Sequence, residues 1–108
     1  MQRPHERLKR KIEKENLWLF ILSVLERNNN LTGAEIKQRL LEDFSLRIGT
    51  VTSYKVLYLL ERGGYVKKER NKKTYSITIE GKKELKRGTS LLGEYNRILK
   101  HRIKVKRT

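Results

Sequence analysis

The stretch TVTSYKVLYLLERGGYVKKERNKKTYSIT, from Thr50 to Thr78, decides the fold. Tyr54, Leu57 and Leu60 recur at three-residue steps and so predict one face of a helix, with Tyr58 and Glu61 beside them. The opposite face carries Thr52, Lys55, Leu59 and Arg62, flanked by Val51 and Val56. Gly63 and Gly64 stop the helix. Two strands follow, Tyr65 to Arg70 and Thr74 to Ile79, around a short turn at Asn71 to Lys73, which makes a hairpin. Tyr75, Ile77 and Ile79 share one face of the second strand; Thr74, Ser76 and Thr78 share the other. Five of the seven residues from Lys67 to Lys73 are basic. A charged hairpin directly behind an amphipathic helix is either an ordinary solvated turn or a finger that holds a polyanion.

Upstream, Leu8, Ile12 and then Leu17 to Leu25 predict a first helix of about 20 residues, apolar on most sides in its second half and so central to the core. Arg27 to Asn30 end it with turn-forming residues. Thr32-Gly-Ala-Glu35 is a capping-box sequence: the Thr32 hydroxyl accepts from the amide three residues on, and Glu35 reaches back to the Thr32 amide. A short second helix follows, ending near Asp43, with Ala34 or Ile36, then Leu40, Leu41 and Phe44, on its apolar face. Ser45 to Gly49 connect it to a third helix, for which Thr50 or a neighbour is the expected cap. Downstream, Thr78 caps a last helix that begins near Glu80 and runs past Leu99. Leu85, Gly88, Leu92, Tyr95 and Leu99 follow a 3-4-3-4 spacing, the seam of a coiled-coil-like contact. Gly88 and Gly93 either kink this helix or let a partner approach closely.

The 108 residues suit one small domain. Lys and Arg number 27 against 12 Asp and Glu, a formal net charge of +15. Such a surplus favours nucleic acid or an anionic membrane surface as partner. It is unevenly placed. Residues 1–16 carry six basic and three acidic side chains, 17–61 carry five of each, 62–87 carry ten and three, and 97–108 carry six and none. A neutral scaffold thus has cationic edges. There is no cysteine, so disulfides and thiolate metal sites are excluded and a reducing compartment is expected. The longest apolar run, Leu17 to Leu25, has nine residues, where a spanning helix needs about 20. No targeting signal is legible, and a soluble, cytoplasmic protein without membrane contact is expected. His5 and His101 are isolated, no nucleophile-base constellation or carboxylate pair stands out, and the Gly pairs are too short for phosphate loops. No enzyme, metal or cofactor is therefore expected.

The order helix, helix, helix, hairpin, helix is that of a winged helix-turn-helix, whose third helix enters a major groove while the hairpin reaches the adjacent backbone or minor groove. The expected fold class is α+β, mostly α: three helices, a two-stranded wing and a long C-terminal helix. The expected parts are a basic N-terminal extension of the first helix (1–16), the DNA-binding domain (17–79), the C-terminal helix (80–103) and a basic tail (104–108).

The segment Thr52-Ser-Tyr54-Lys-Val-Leu57-Tyr-Leu-Leu60-Glu61-Arg-Gly-Gly64-Tyr-Val66, followed by Tyr75-Ser-Ile-Thr78-Ile-Glu-Gly81-Lys-Lys-Glu-Leu85, resembles the PadR family of transcriptional regulators. The family pattern, T-x-Y-x-x-L-x-x-L-E-x-x-G-x-V and then Y-x-[IL]-T-x-x-G-x-x-x-L, is met at every position. The resemblance covers about residues 17 to 99. Lys55 stands where the family usually has proline, and Thr32-Gly33 where it usually has Gly-Tyr. The resemblance implies a homodimeric repressor that binds operator DNA and packs its C-terminal helix against the partner's first helix.

Double-stranded DNA is thus the expected partner. Lys72 and Lys73 at the hairpin tip, then Arg70 and Lys68, are the expected phosphate contacts, joined by Arg47 in the turn before the third helix. Thr50, Thr52, Ser53 and Lys55 are the expected groove-facing residues; capping and solvation are the plain alternative for them. Tyr54 is expected in the core, and Tyr75 in the core or on a phosphate. The expected homodimer interface is Trp18, Leu85, Leu92, Tyr95 and Leu99. Trp18 reads as a core or interface aromatic, although the resemblance leaves open a ligand pocket beside it; no residue pattern argues for a small-molecule effector. Two other functions stay open on sequence: a non-specific architectural DNA binder, and a winged helix that contacts only protein.

Overall fold

The computed structural model describes residues 2–105, and the side chains of residues 2–101. Its elements run α1 (Pro4–Glu15), α2 (Leu17–Arg27), β1 (Leu31–Thr32), α3 (Gly33–Phe44), α4 (Thr50–Arg62), β2 (Val66–Glu69), β3 (Thr74–Ile77) and α5 (Ile79–Val105). This is a mostly helical winged helix with a small antiparallel sheet, as the element order predicts. Part of the expected basic tail, Lys106 to Thr108, lies outside the described residues, and Lys104 and Val105 belong to α5.

The expected long first helix is two helices. Asn16 breaks it with φ −128° and ψ 38°. Its amide still donates to the Ile12 carbonyl, its carbonyl accepts from Leu19, and its side-chain oxygen accepts from the Trp18 indole at 3.4 Å. Residues 4–15 are therefore a separate, highly charged helix. The central role falls to α2, whose Leu17, Ile21, Leu22, Val24 and Leu25 are all buried.

The sheet has three strands, ordered β1-β3-β2, so the expected two-stranded wing gains an edge strand. Leu31 pairs with Tyr75 and Thr32 with Thr74. The asparagines after α2 extend this edge: the Asn30 amide donates to the Tyr75 carbonyl, and the Asn29 side chain accepts from the Ile77 amide at 2.9 Å. A two-residue strand has no alternation to read, which is why it escapes a periodicity argument.

The capping box of α3 is present, with the Glu35 amide donating to Thr32 Oγ1 at 3.2 Å and the Thr32 amide to Glu35 Oε1 at 2.8 Å. Ile36 and Leu40 are the buried residues of its apolar face, and Ala34 is exposed. α3 ends with Ser45 in the left-handed conformation (φ 55°), and the Leu46 amide reaches back to the Leu40 carbonyl. Leu46 is thereby folded under the turn and buried.

α4 is rotated from its expected setting. Its buried residues are Ser53, Leu57 and Leu60, not Tyr54, Leu57 and Leu60. Three-residue steps drift by about 60° per step around a 3.6-residue helix, whereas the 4-3 spacing of 53, 57 and 60 stays on one stripe. Tyr54 is 42% exposed and lies across Gly33, where any β-carbon would run into its ring. Tyr75, left open by the sequence, is in the core at 4% exposure.

α5 is capped by Thr78, whose hydroxyl accepts from the Gly81 amide at 3.0 Å and donates to the Gly64 carbonyl at 2.7 Å. Its seam divides at Gly88. Leu85 packs on the chain's own core, and a β-carbon on Gly88 would lie 2.7 Å from Leu19 and 2.9 Å from the Trp18 ring. Gly88 therefore serves a close approach within the chain; α5 runs unbroken through it. Beyond it, Leu91, Leu92, Tyr95 and Leu99 are exposed.

Candidate nucleic-acid interface

The turn into α4 gathers positive charge around unpaired amides. Gly49 is the N-cap and supplies no side-chain acceptor, so the first amides of α4 keep their donors free, the first intrahelical bond being Ser53 N–H to the Gly49 carbonyl at 3.0 Å. The helix dipole adds partial positive charge there. Lys37 reaches across from α3 and donates to Thr50 Oγ1 at 2.8 Å, and exposed Arg47 stands in the connecting turn. Lys37, Gln38, Arg47, Thr50 and Tyr54 line a cleft of about 340 Å3 at this point. An anionic oxygen placed in it would meet two cations, Lys37 and Arg47, beside the N-terminus of α4.

The outward face of α4 presents Val51, Thr52, Lys55, Tyr58, Leu59 and Arg62, all exposed. Arg62 donates to the Tyr58 hydroxyl at 3.4 Å, and its guanidinium carbon is 5.8 Å from that ring's centroid. This face thus mixes a methyl-bearing side chain, hydroxyls, an ammonium and a guanidinium, the groups that meet base edges and thymine methyls in a major groove. Val51 is 82% exposed.

Ser53 is a correction. It is fully buried, its hydroxyl donating to the Thr50 carbonyl at 3.0 Å. It is a small residue on the packed stripe of α4 and does not face a groove. Thr50, Thr52 and Lys55 are exposed, as expected.

The wing rises beside the C-terminal end of α4, where Arg70 Nη2 is 3.7 Å from Glu61 Oε2. Its tip is organised by Glu69, whose carboxylate accepts from the Asn71 amide at 2.6 Å and the Lys72 amide at 3.2 Å. Lys72 and Lys73 project from that turn, exposed. Lys68 departs from expectation. It pairs with Tyr75 in the sheet, and its ammonium lies 5.5 Å from the Tyr75 ring centroid, half-buried on the inner face. Period-two alternation puts its neighbour Lys67 on the exposed face instead.

Residues 21–87 match the model of the PadR-like family of transcriptional regulators. The chain belongs to that family. Neither the curated proteins nor the solved structures yield a match. PadR-like regulators bind DNA, and the matched span takes in α4 and the whole wing. In this PadR-like chain Thr32-Gly33 has a plain structural role: Thr32 caps α3, and Gly33 makes room for Tyr54. Lys55, in place of the usual proline, leaves α4 with an unbroken ladder and a cation at the centre of its outer face.

Reading the sequence misses Lys37, Tyr58 and Lys67 as members of this surface. Lys37 belongs to it only because α3 crosses the start of α4. Lys67 is within reach from strand alternation, whereas Tyr58 follows only from the setting of α4, which packing decides. Trp18 is half-buried against Gly88 of its own chain, and Leu85 joins the same core, so each of these two expected interface residues already has intrachain partners. Among the described residues no helix is long and apolar enough to cross a membrane.

Proposed function

We propose that this PadR-like regulator is a cytoplasmic homodimeric repressor that reads a near-palindromic DNA site with two copies of α4. The observation that carries the reading is the outer face of α4, exposed along its whole length and flanked at one end by the Lys37–Arg47 cleft and at the other by the wing. In this reading Lys37, Arg47 and Thr50 hold one phosphate group. Thr52, Lys55 and Val51 meet base edges, and Lys72, Lys73 and Arg70 track the neighbouring backbone. The dimer rests on the distal stripe of α5, where Leu91, Leu92, Tyr95 and Leu99 lie in water in a single chain. Two-fold pairing through that stripe would set two α4 helices about one DNA turn, ~34 Å, apart.

The deciding experiment selects bound fragments from random duplex DNA and compares affinity for the winner with that for random duplex at fixed salt. A ratio of about 10³ or more, on a site with two-fold symmetry, is expected. A ratio near one makes the chain an architectural binder, and no duplex binding at low salt removes DNA from its function.

A further inference from the structure

The N-terminal helix is the feature that the winged helix does not absorb. It precedes the span matched by the family model and has no buried residue. Its charges are sorted around the helix. Lys9 pairs with Glu13 and Lys11 with Glu15, each at 2.7 Å, and the Glu6 carboxylate caps the Arg3 amide. Glu15 is held below the usual carboxylate pKa by the hydrogen bond from Lys11 and by that ammonium's charge. All three carboxylates of the helix are thus engaged locally. Arg7, Arg10 and Lys14, at i, i+3 and i+7, share the remaining face. All three are exposed, and none has an acidic partner among the described residues.

The helix is also placed. Ile12 is half-buried, lining with Leu8 a hollow beside Phe20 of α2, and so turns the apolar side of α1 toward the scaffold. At the other side Lys14 and Glu15 stand at the rim of a cleft of about 300 Å3 whose further walls include Trp18 and Val56, Leu59 and Leu60 of α4. Leu59 belongs to the exposed face of α4. The unpaired cationic face of α1 therefore begins where the outer face of α4 ends.

We infer that α1 is a second polyanion-binding element: Arg7, Arg10 and Lys14 lie along the phosphate backbone of the same duplex, flanking the stretch that α4 reads. This rests on the proposed DNA reading of α4. The cations are spread over about 10 Å of helix, a length over which one strand carries about three phosphates. A membrane surface fits less well. An interfacial helix needs a free apolar face, and here Ile12 is already engaged, leaving Leu8 alone at 61% exposure.

The test uses the full chain and the duplex chosen by selection. Arg7→Ala with Arg10→Ala and Lys14→Ala is compared with a control that removes the same charge from α5, Lys86→Ala with Arg97→Ala and Lys100→Ala. The α1 variant is expected to flatten the slope of log affinity against log salt by about 2 to 3, and the control by less than about 1. Preference for the selected site over random duplex stays unchanged, because phosphate contacts carry no sequence information. If wild type binds duplex and the α1 variant keeps its slope, or if the control flattens it equally, the inference is overturned and the reading of α4 stands. If wild type binds no duplex, the reading of α4 falls and this inference with it. Anionic phosphatidylserine vesicles form the last arm: vesicle binding that the α1 variant alone abolishes, with duplex binding intact, assigns the helix to membranes and refutes the inference.

Discussion

On α4, Val51, Tyr58 and Leu59 are exposed with Lys55 and Arg62 set among them on the same face. On the distal half of α5, Leu91, Leu92, Tyr95 and Leu99 are exposed within an arc of about 100°, while Arg97 and Lys100 point elsewhere around the helix. Both helices leave apolar groups in water, but the two patterns call for different partners. Intermixed cations and methyls suit a groove that offers phosphates, base edges and thymine methyls together. Among the described side chains this stripe carries no charge, which suits another apolar stripe, because a charge within it would be stripped of its hydration when the two stripes meet.

The contrast is broken most severely by charging the stripe of α5. Leu92→Lys with Leu99→Lys is expected to yield a monomer by sedimentation, since burying each Leu is worth about 1.5–3 kcal/mol. Affinity for the selected DNA is expected to fall by about 10²–10⁴-fold, the usual gain from linking two binding modules. The added positive charge works in the opposite direction, so a drop isolates the loss of the dimer. A wild-type chain that sediments as a monomer at micromolar concentration ends the dimer model.

The intermixed face of α4 gives the next largest effect. Lys55→Ala or Thr52→Ala is expected to reduce discrimination by about 1–3 kcal/mol, with a smaller loss on random duplex. Unchanged discrimination in both variants would move sequence reading away from the centre of this face.

The same contrast shows what the sequence reveals and what it hides. The helix, hairpin, helix order, the Thr32 capping box and the turn at the wing tip are all legible, because each rests on residues near one another in the chain. The setting of α4 is not, because Leu57 and Leu60 fit two stripes equally, and Tyr54 is a better core residue by type than Ser53. Only the fold decides between them, since Gly33 supplies the space that Tyr54 fills. The division of the α5 seam at Gly88 is equally nonlocal: spacing marks five seam positions alike, and packing against Trp18 assigns the first part to the chain's own core. The break at Asn16 hides behind a helical pattern that is continuous across it.

At the wing tip the effect is smaller and spread over all sequences. Lys72→Ala with Lys73→Ala is expected to lower the salt slope by about 1 for each phosphate that the tip no longer neutralises, weakening every duplex alike. An unchanged slope places the tip away from the DNA and leaves α4 to act without its neighbour.

The smallest effect separates the backbone of the tip from its charge. Lys73 adopts φ 56°, in the left-handed region, and Asn30 and Ser45 are the other non-glycine residues described there. For a residue with a β-carbon this conformation costs about 1–2 kcal/mol, and glycine adopts it freely. Glycine loses more backbone entropy on folding, by about 0.5–1 kcal/mol, which offsets part of the gain. Lys73→Gly is therefore expected to leave stability unchanged or raise it by up to about 1.5 kcal/mol in denaturant unfolding. Its salt slope on duplex DNA is expected to fall by about 1. Stability and binding then move independently at one residue, as they should if a lysine in this conformation is there for its charge. A Lys73→Gly variant that is less stable than wild type, or that binds DNA with an unaltered slope, would show that the side chain serves the turn and not the phosphates.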